Sequence, residues 1–233
     1  MKRLACFLFC LLPALELAQT PSQPLDRLLC GPDPLAVGYV TADFPLVEVA
    51  KYSHSEDPRL RSWLKDDRMS RCWPEIVFAL GMLAEQENLD ETAEELKVYL
   101  VSPPLRHGYR RIQEILAKSS VPLALGLLAN RGSNKALELL LQLSDAAFTL
   151  NAMTWLDRPN QKHTAIQVSI YAMRGLGYSA RPEAANRLKE LQKDKQINNA
   201  HVASGAIKYG LEDWAGIKKK GLIPYFESKR RKR

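Results

Sequence analysis

The histidines are the residues of this chain whose type most readily carries metal-binding or acid–base chemistry. There are four in 233 residues, and none lies in a His-Glu-x-x-His motif or beside a cysteine at ligand spacing. We therefore predict no metal site among them. His163, expected to open a helix, and His201, expected inside one, are predicted to be surface or capping residues and not catalytic bases. The four histidines are His54, His107, His163 and His201.

Motifs for a nucleophile or a phosphate are missing from the sequence. It contains neither the Gly-x-Ser-x-Gly elbow of hydrolases nor the Gly-x-x-x-x-Gly-Lys-Ser/Thr loop that cradles phosphates. The acidic stretch 85–95 lacks the alternating ligands and closing glutamate of a calcium loop, so we expect a solvated helix face there. The sequence thus predicts no catalytic residue and no cofactor, and we expect a protein that is not an enzyme.

The N-terminus has the pattern of a signal peptide. A basic start, Met1–Arg3, precedes the twelve apolar residues 4–15, and a polar, proline-rich segment follows at 16–24. Because the apolar run has no polar face, a buried N-terminal helix is the weaker interpretation. We predict a signal peptide over residues 1–18 with cleavage near 18–22, and export to the periplasm or the extracellular space.

Export decides how the four cysteines are interpreted. Cys6 and Cys10 would leave with the signal peptide, whereas Cys30 and Cys72 would remain, 42 residues apart. In an oxidising compartment two remaining thiols form a natural disulfide pair. The alternative is two separate buried thiols.

The positive charge of the chain is concentrated at its C-terminus. The sequence has 33 basic and 26 acidic residues, but residues 19–217 hold 23 bases and 24 acids. A neutral body excludes specific nucleic-acid recognition by a basic face. The tail, residues 218–233, is instead a candidate contact for an anionic polymer or a membrane surface, or a solvated extension. Its apolar insert, residues 221–226, could also dock back on the body. Its bases are Lys218, Lys219, Lys220, Lys229, Arg230, Arg231, Lys232 and Arg233.

The sequence contains an internal repeat with helical period, and the fold that this repeat predicts must position the residues described above. Four small or apolar residues recur 48 positions later, with Ala124, Ala136, Leu140 and Leu143 matching Ala172, Ala184, Leu188 and Leu191. A third copy starts at Ala79, and residues 199–213 resemble a fourth first helix that acts as a cap. We predict helical hairpins whose turns involve Asp90, Ser133 and the pair Gly177/Pro182.

The rest of the chain is organised around this repeat. Residues 19–71 are an irregular lead-in that contains short helices at 45–52 and 58–65 and forms an N-terminal cap. The repeat domain spans 72–217, and the basic tail follows. Beyond the N-terminus we expect no apolar run of the ~20 residues that a membrane span requires.

Residues 168–194 resemble the HEAT-like repeat of the phycobilisome-lyase type. The Leu176–Gly177 and Pro182–Glu183–Ala184 segments match that pattern, although the turn is longer and lacks an acidic residue. The resemblance implies an all-α, armadillo-like α-solenoid of about three to four hairpin repeats with a period of 45–48 residues.

Such arrays usually bind proteins or peptides, so the resemblance implies a protein-binding or scaffold module whose partner is another protein. The alternative is a polyanion or envelope-surface binder that acts through the basic tail. A third interpretation, an enzyme with a site on the concave face, requires histidines or acidic residues gathered from different repeats.

Overall fold

The protein is all-helical. The computed structural model describes residues 23–31, 45–155, 158–194 and 201–230, and within these ranges it contains twelve α-helices and no strand. The predicted signal peptide and Arg231–Arg233 lie outside the described residues. The helices are α1 (Leu25–Cys30), α2 (Leu46–Val49), α3 (Asp57–Trp63), α4 (Trp73–Leu83), α5 (Leu89–Val101), α6 (Gly108–Asn130), α7 (Asn134–Leu143), α8 (Ala146–Ala152), α9 (Arg158–Ser179), α10 (Pro182–Lys193), α11 (His201–Lys220) and α12 (Leu222–Arg230).

The helices from α4 onward pack in two rows. Helices α4, α6, α9 and α11 each lie against the next and form a first row, which we call the long row after its members α6, α9 and α11. Helices α5, α7 and α10 form a second row along it. The equivalent alanines of the three sequence copies are all buried: Ala79, Ala124 and Ala172 in the long row, and Ala93, Ala136 and Ala184 in the other. The repeated positions are therefore the ones that hold each hairpin to its neighbours.

Glycines allow the long helices to approach each other closely. A Cβ atom built on Gly126 would lie 2.5 Å from the carbonyl oxygen of Gly175, and one on Gly177 would lie 2.5 Å from that of Gly210. A Cβ on Gly81 would lie 2.4 Å from the Ala124 oxygen. Since no side chain fits between these backbones, small residues are required at each contact between successive long helices.

The turns differ in part from the prediction. Ser133 caps α7 as expected, accepting the Ala136 N–H at 3.0 Å. The prediction that Gly177 ends a helix is wrong, because α9 runs on to Ser179 and the left-handed residue is Ala180, at φ 52°. The prediction for Asp90 is also wrong, because Asp90 does not cap helix α5. Its carboxylate accepts a hydrogen bond from the Ser133 hydroxyl at 2.5 Å and so links two neighbouring hairpins.

The C-terminal segment is folded. Of the alternatives for the segment after the fourth first helix, the structure shows docking on the body, since α12 follows α11 and packs on both α11 and α2. Aromatic contacts join Phe78, Tyr178 and Phe226, with ring centroids 6.2 and 5.5 Å apart. Since Phe78 lies on α4, Tyr178 on α9 and Phe226 on α12, these rings link the first and third helices of the long row to the C-terminal helix.

Helix α6 is long and apolar enough to cross a membrane by length and composition, contrary to the expectation from the sequence. Within the protein, 83% of the most apolar 18-residue window of α6 is buried. Core helices pass the same composition test, and α6 packs against both α4 and α9. Its apolar character is therefore accounted for by its central place in the long row.

Glu75, in the first turn of α4, makes stability depend on pH. Burial raises the pKa of its carboxyl from 4.5 to about 7. Between those values the folded protein keeps a proton that the unfolded chain has released, so the free energy of unfolding falls as the pH rises. Glu75→Gln should remove this fall and stabilise the protein at pH 8 by up to about 3 kcal/mol. Urea unfolding of both proteins at pH 5 and 8 tests this, and an equal fall in the variant would contradict it.

Candidate interaction surface

The start of α6 carries a row of exposed apolar side chains. The exposed fractions are 77% for Leu105, 62% for Tyr109, 55% for Ile112 and 37% for Leu116. Their spacing of four, three and four residues places the last three on one face of the helix, with Leu105 just before it. We call these four residues the apolar row. Contiguous exposed apolar side chains of this size are typical of an interaction site.

A buried carboxylate holds the segment from which the row begins. Glu114, on the opposite side of α6, accepts the backbone N–H groups of Leu105 and Arg106 at 3.1 and 3.2 Å. Hydrogen bonds to a charged, buried acceptor are among the stronger ones in proteins. The connection between α5 and α6 is therefore fixed on the helix, and Leu105 is presented from a rigid segment.

Lys118 fixes the other end of the same connection. Its ammonium group donates to the carbonyl oxygens of Tyr99 and Ser102 at the end of α5, and lies 3.9 Å from Glu114. It also lies 4.2 Å from the Tyr99 ring and 5.6 Å from that of Trp155. Burial lowers the pKa of Lys118 to about 8, and the Glu114 carboxylate opposes that shift. The last carbonyls of α5 thus receive their donors from a charged side chain.

Arginines lie near the apolar row in sequence but on the other side of α6, since Arg110 and Arg111 are each about 130° round the helix from the centre of the row. Arg106 and Arg110 both pair with Asp67, at 3.2 and 2.8 Å, in the 3-10 turn Asp67–Cys72 that packs against α6. Since two guanidinium groups share one carboxylate, a positive charge remains. Arg111 adds another and makes no ion pair with any described residue. The start of α6 is therefore apolar on the face of the row and positively charged on the side away from it.

Sequence reasoning missed the apolar row. Apolar residues three and four apart predict a buried face, and α6 has a buried face of that kind at Ala117, Val121 and Ala124. The available signal was that its first three turns carry a second apolar face, at Tyr109, Ile112 and Leu116. One helix cannot bury two such faces against a single layer of neighbours.

The structure brings the two predicted cysteines together. Cys30 and Cys72 form a disulfide with Cα atoms 5.1 Å apart, which links α1 to the 3-10 turn before α4. Their pairing in the exported protein stays a prediction. Mass mapping of non-reduced tryptic peptides should recover one peptide pair that contains both residues, whereas alkylation of both thiols without reduction would contradict it.

The basic residues predicted for the tail divide into two groups. Lys218, Lys219 and Lys220 are exposed at the C-terminal end of α11. Lys229 instead pairs with the buried carboxylate of Asp213, and Arg230 pairs with Glu48. The remaining three, Arg231, Lys232 and Arg233, lie outside the described residues.

The histidines are not gathered into a site within the described ranges. No group of three or more His, Cys, Asp or Glu side chains that could hold a metal ion occurs there. The ring Nδ1 of His54 lies 3.2 Å from the Leu83 carbonyl oxygen, and His107 is an exposed residue at the start of α6. His163, predicted to open a helix, instead lies inside α9 and is exposed.

Comparisons of the chain with protein-family models, curated proteins and solved structures give no match.

Proposed function

We propose that this chain is an exported HEAT-like α-solenoid that binds another protein through the apolar row and catalyses no reaction. The observation that carries the binding function is the row itself. Three large apolar side chains share one face of the central helix and Leu105 precedes them in the connection that Glu114 holds, and each of the four is more than a third exposed. Exposing this area to water is unfavourable unless a partner covers it.

Two observations support the solenoid architecture. The matching alanines of successive copies are buried in two parallel rows of helices, and each pair of neighbouring long helices meets at a glycine. A single hairpin cannot bury its apolar face alone. Stacking of this kind gives neighbouring hairpins a continuous core. The α11–α12 pair extends the array as a fourth, shorter hairpin.

Two sequence features support export. The first eighteen residues have the basic, apolar and polar order of a signal peptide. The Cys30–Cys72 geometry is that of a disulfide, a bond that persists in oxidising compartments.

Capture from an envelope extract tests the binding function. The mature protein should retain a discrete partner that the double variant Ile112→Glu/Leu116→Glu loses by at least about tenfold, because charges then lie at the centre of the contact. Val202→Glu is the matched control, since Val202 is 68% exposed on α11 and should bind like wild type. Equal retention by all three proteins would refute the assignment to the apolar row.

A second candidate function is polyanion binding through Lys218, Lys219 and Lys220. The observation that favours it is their exposure in three consecutive positions at a helix end. Heparin-resin retention that falls steeply with salt and is lost in a Lys218→Gln/Lys219→Gln variant would support it. Retention that is unchanged by these substitutions would exclude these lysines as the binding residues.

A further inference from the structure

The end of α11 and the helix α12, residues 218–230, form a segment whose composition the proposed function does not use. We propose that this segment binds an anionic lipid membrane, and that α12 is released from the rest of the protein when it does so. Neither the apolar row nor a protein partner is involved, so this function is separate from the one proposed above. Three properties of the segment support it: its composition, its incomplete packing and the charges that hold α12.

The segment places an apolar, aromatic stretch between two basic clusters. Residues 222–226 are all apolar or aromatic, the lysines at 218–220 precede them, and the bases at 229–230 follow. Residues 218–230 contain five bases and one acid in total. Stable attachment to a membrane combines insertion of apolar groups with attraction of bases to anionic lipid. The segment provides both, whereas a soluble anionic polymer would use the bases alone.

The rest of the protein covers α12 incompletely. Tyr225 is the one buried residue of this helix, whereas Leu222, Ile223 and Phe226 are half-buried and Pro224 is exposed. The helix packs on α11 and α2. Because the stretch is apolar on every side, packing against one side of the protein cannot remove it from water. A membrane interface would cover the side that α11 and α2 leave open.

The charged contacts that hold α12 can open without leaving a buried charge unpaired. Lys229 donates to the buried carboxylate of Asp213, and Arg230, which is 69% exposed, pairs with Glu48 of α2. When α12 leaves, Asp213 keeps its hydrogen bond from Arg174 at 3.1 Å. The phosphate groups of anionic lipids are acceptors that can replace both carboxylates as partners of the released bases. Release onto such a membrane therefore exchanges one set of ion pairs for another.

Gly216 of α11 offers a way to release α12 without changing any residue of the segment. The ring of Tyr225 packs directly on Gly216, so a methyl group there would overlap it. Gly216→Ala should therefore displace Tyr225 and increase the fraction of protein in which α12 is free. Because the free fraction is the one that binds lipid through residues 222–226, the apparent affinity should rise with it. Gly205→Ala is the matched control in the same helix, since a Cβ atom there meets nothing within 4 Å.

Co-sedimentation with vesicles of phosphatidylcholine, with and without phosphatidylglycerol, measures these affinities. The wild-type protein should bind the vesicles that contain phosphatidylglycerol, and should bind less as the salt concentration rises. Gly216→Ala should bind them about fivefold or more tighter, and Gly205→Ala should bind like wild type. Adding Ile223→Glu/Phe226→Glu to Gly216→Ala should weaken binding by about tenfold or more, because charged side chains do not insert. Hydrogen exchange without vesicles should show the amides of residues 222–230 less protected in Gly216→Ala than in wild type.

Equal affinity of wild type and Gly216→Ala would overturn the release of α12, provided that the variant has lost amide protection at residues 222–230. If Gly216→Ala keeps that protection, Asp213→Ala, which removes the docking carboxylate, is the second released variant. The same criterion then applies to it, and an affinity equal to that of wild type would overturn the inference.

The remaining outcomes identify other ligands. Binding that survives Ile223→Glu/Phe226→Glu and is lost in Lys218→Gln/Lys219→Gln would assign it to exposed lysines alone and overturn insertion of α12. Heparin retention without vesicle binding would identify a soluble polyanion as the ligand and overturn the membrane. Absence of vesicle binding in wild type and in both released variants would overturn the inference outright. The extract capture tests the apolar row independently of all these results.

Discussion

Replacing Gly126 with alanine should destabilise the protein by about 3 kcal/mol, although alanine is the better helix former. The added methyl group would lie 2.5 Å from the Gly175 carbonyl oxygen and 2.8 Å from the Gly175 Cα atom. Both are backbone atoms in the middle of a helix, so neither can rotate away. Helices α6 and α9 would have to separate, and the packing around Leu140, which lies against the same contact, would loosen.

The matched control is the same substitution at Gly205, in helix α11. A Cβ atom there meets nothing within 4 Å, so Gly205→Ala should stabilise the protein by up to about 1 kcal/mol through helix propensity alone. Denaturant unfolding of the three proteins measures both effects. Opposite signs are the expected result, and stabilisation by both substitutions would show that α6 and α9 are not in backbone contact at Gly126.

Removal of the Asp213 carboxylate should cost about 3–5 kcal/mol. Asp213 is fully buried on α11 and accepts bonds from Arg174 of α9 at 3.1 Å and from the Tyr225 hydroxyl of α12 at 2.8 Å. The Lys229 ammonium group of α12 donates a third hydrogen bond to the same carboxylate. Asp213→Ala would leave a mostly buried guanidinium group and a buried hydroxyl without their acceptor. The change should therefore weaken the attachment of α12 as well as lower the overall stability.

Thermal unfolding combined with amide hydrogen exchange distinguishes these effects. In Asp213→Ala the midpoint should fall and the amides of residues 222–230 should lose protection first. Glu94→Ala is the control, because Glu94 pairs with Lys97 and Lys135 on an exposed surface and its loss should leave the midpoint unchanged. If Asp213→Ala behaves like Glu94→Ala, the buried network does not hold α12.

The repeat made much of the helical architecture predictable. Alanines and leucines at matched offsets predict helices that stack in a regular way, and the short helices of the lead-in follow from prolines in the first turn. Gly177 illustrates the limit of that reasoning. A glycine after an apolar helix usually predicts a C-cap, but here it is needed inside α9 because the Gly210 backbone passes against it. Local propensity contains no information about that neighbour.

The sequence did not predict the C-terminal helix α12 because of its basic composition. Lysines and arginines dominate residues 218–233, and that composition predicts a solvated segment. Asp213, twelve residues before Tyr225, offers the compensating carboxylate, but only the fold shows that Arg174, Tyr225 and Lys229 converge on it. The exposure of the apolar row was not predicted either, because its spacing is that of an ordinary core face. Whether such a face is exposed depends on which neighbouring helices are present.

The central claim is that the apolar row contacts a protein partner, and site-specific photo-crosslinking tests it most directly. A photoreactive benzoyl-phenylalanine replaces Tyr109 in one protein and Tyr209 in another, since both tyrosines are at least half exposed, 62% and 50%. Irradiation of cells that export each protein should give one discrete protein adduct from position 109 and none from position 209. Adducts of the same pattern from both positions, or none from position 109, would contradict the account.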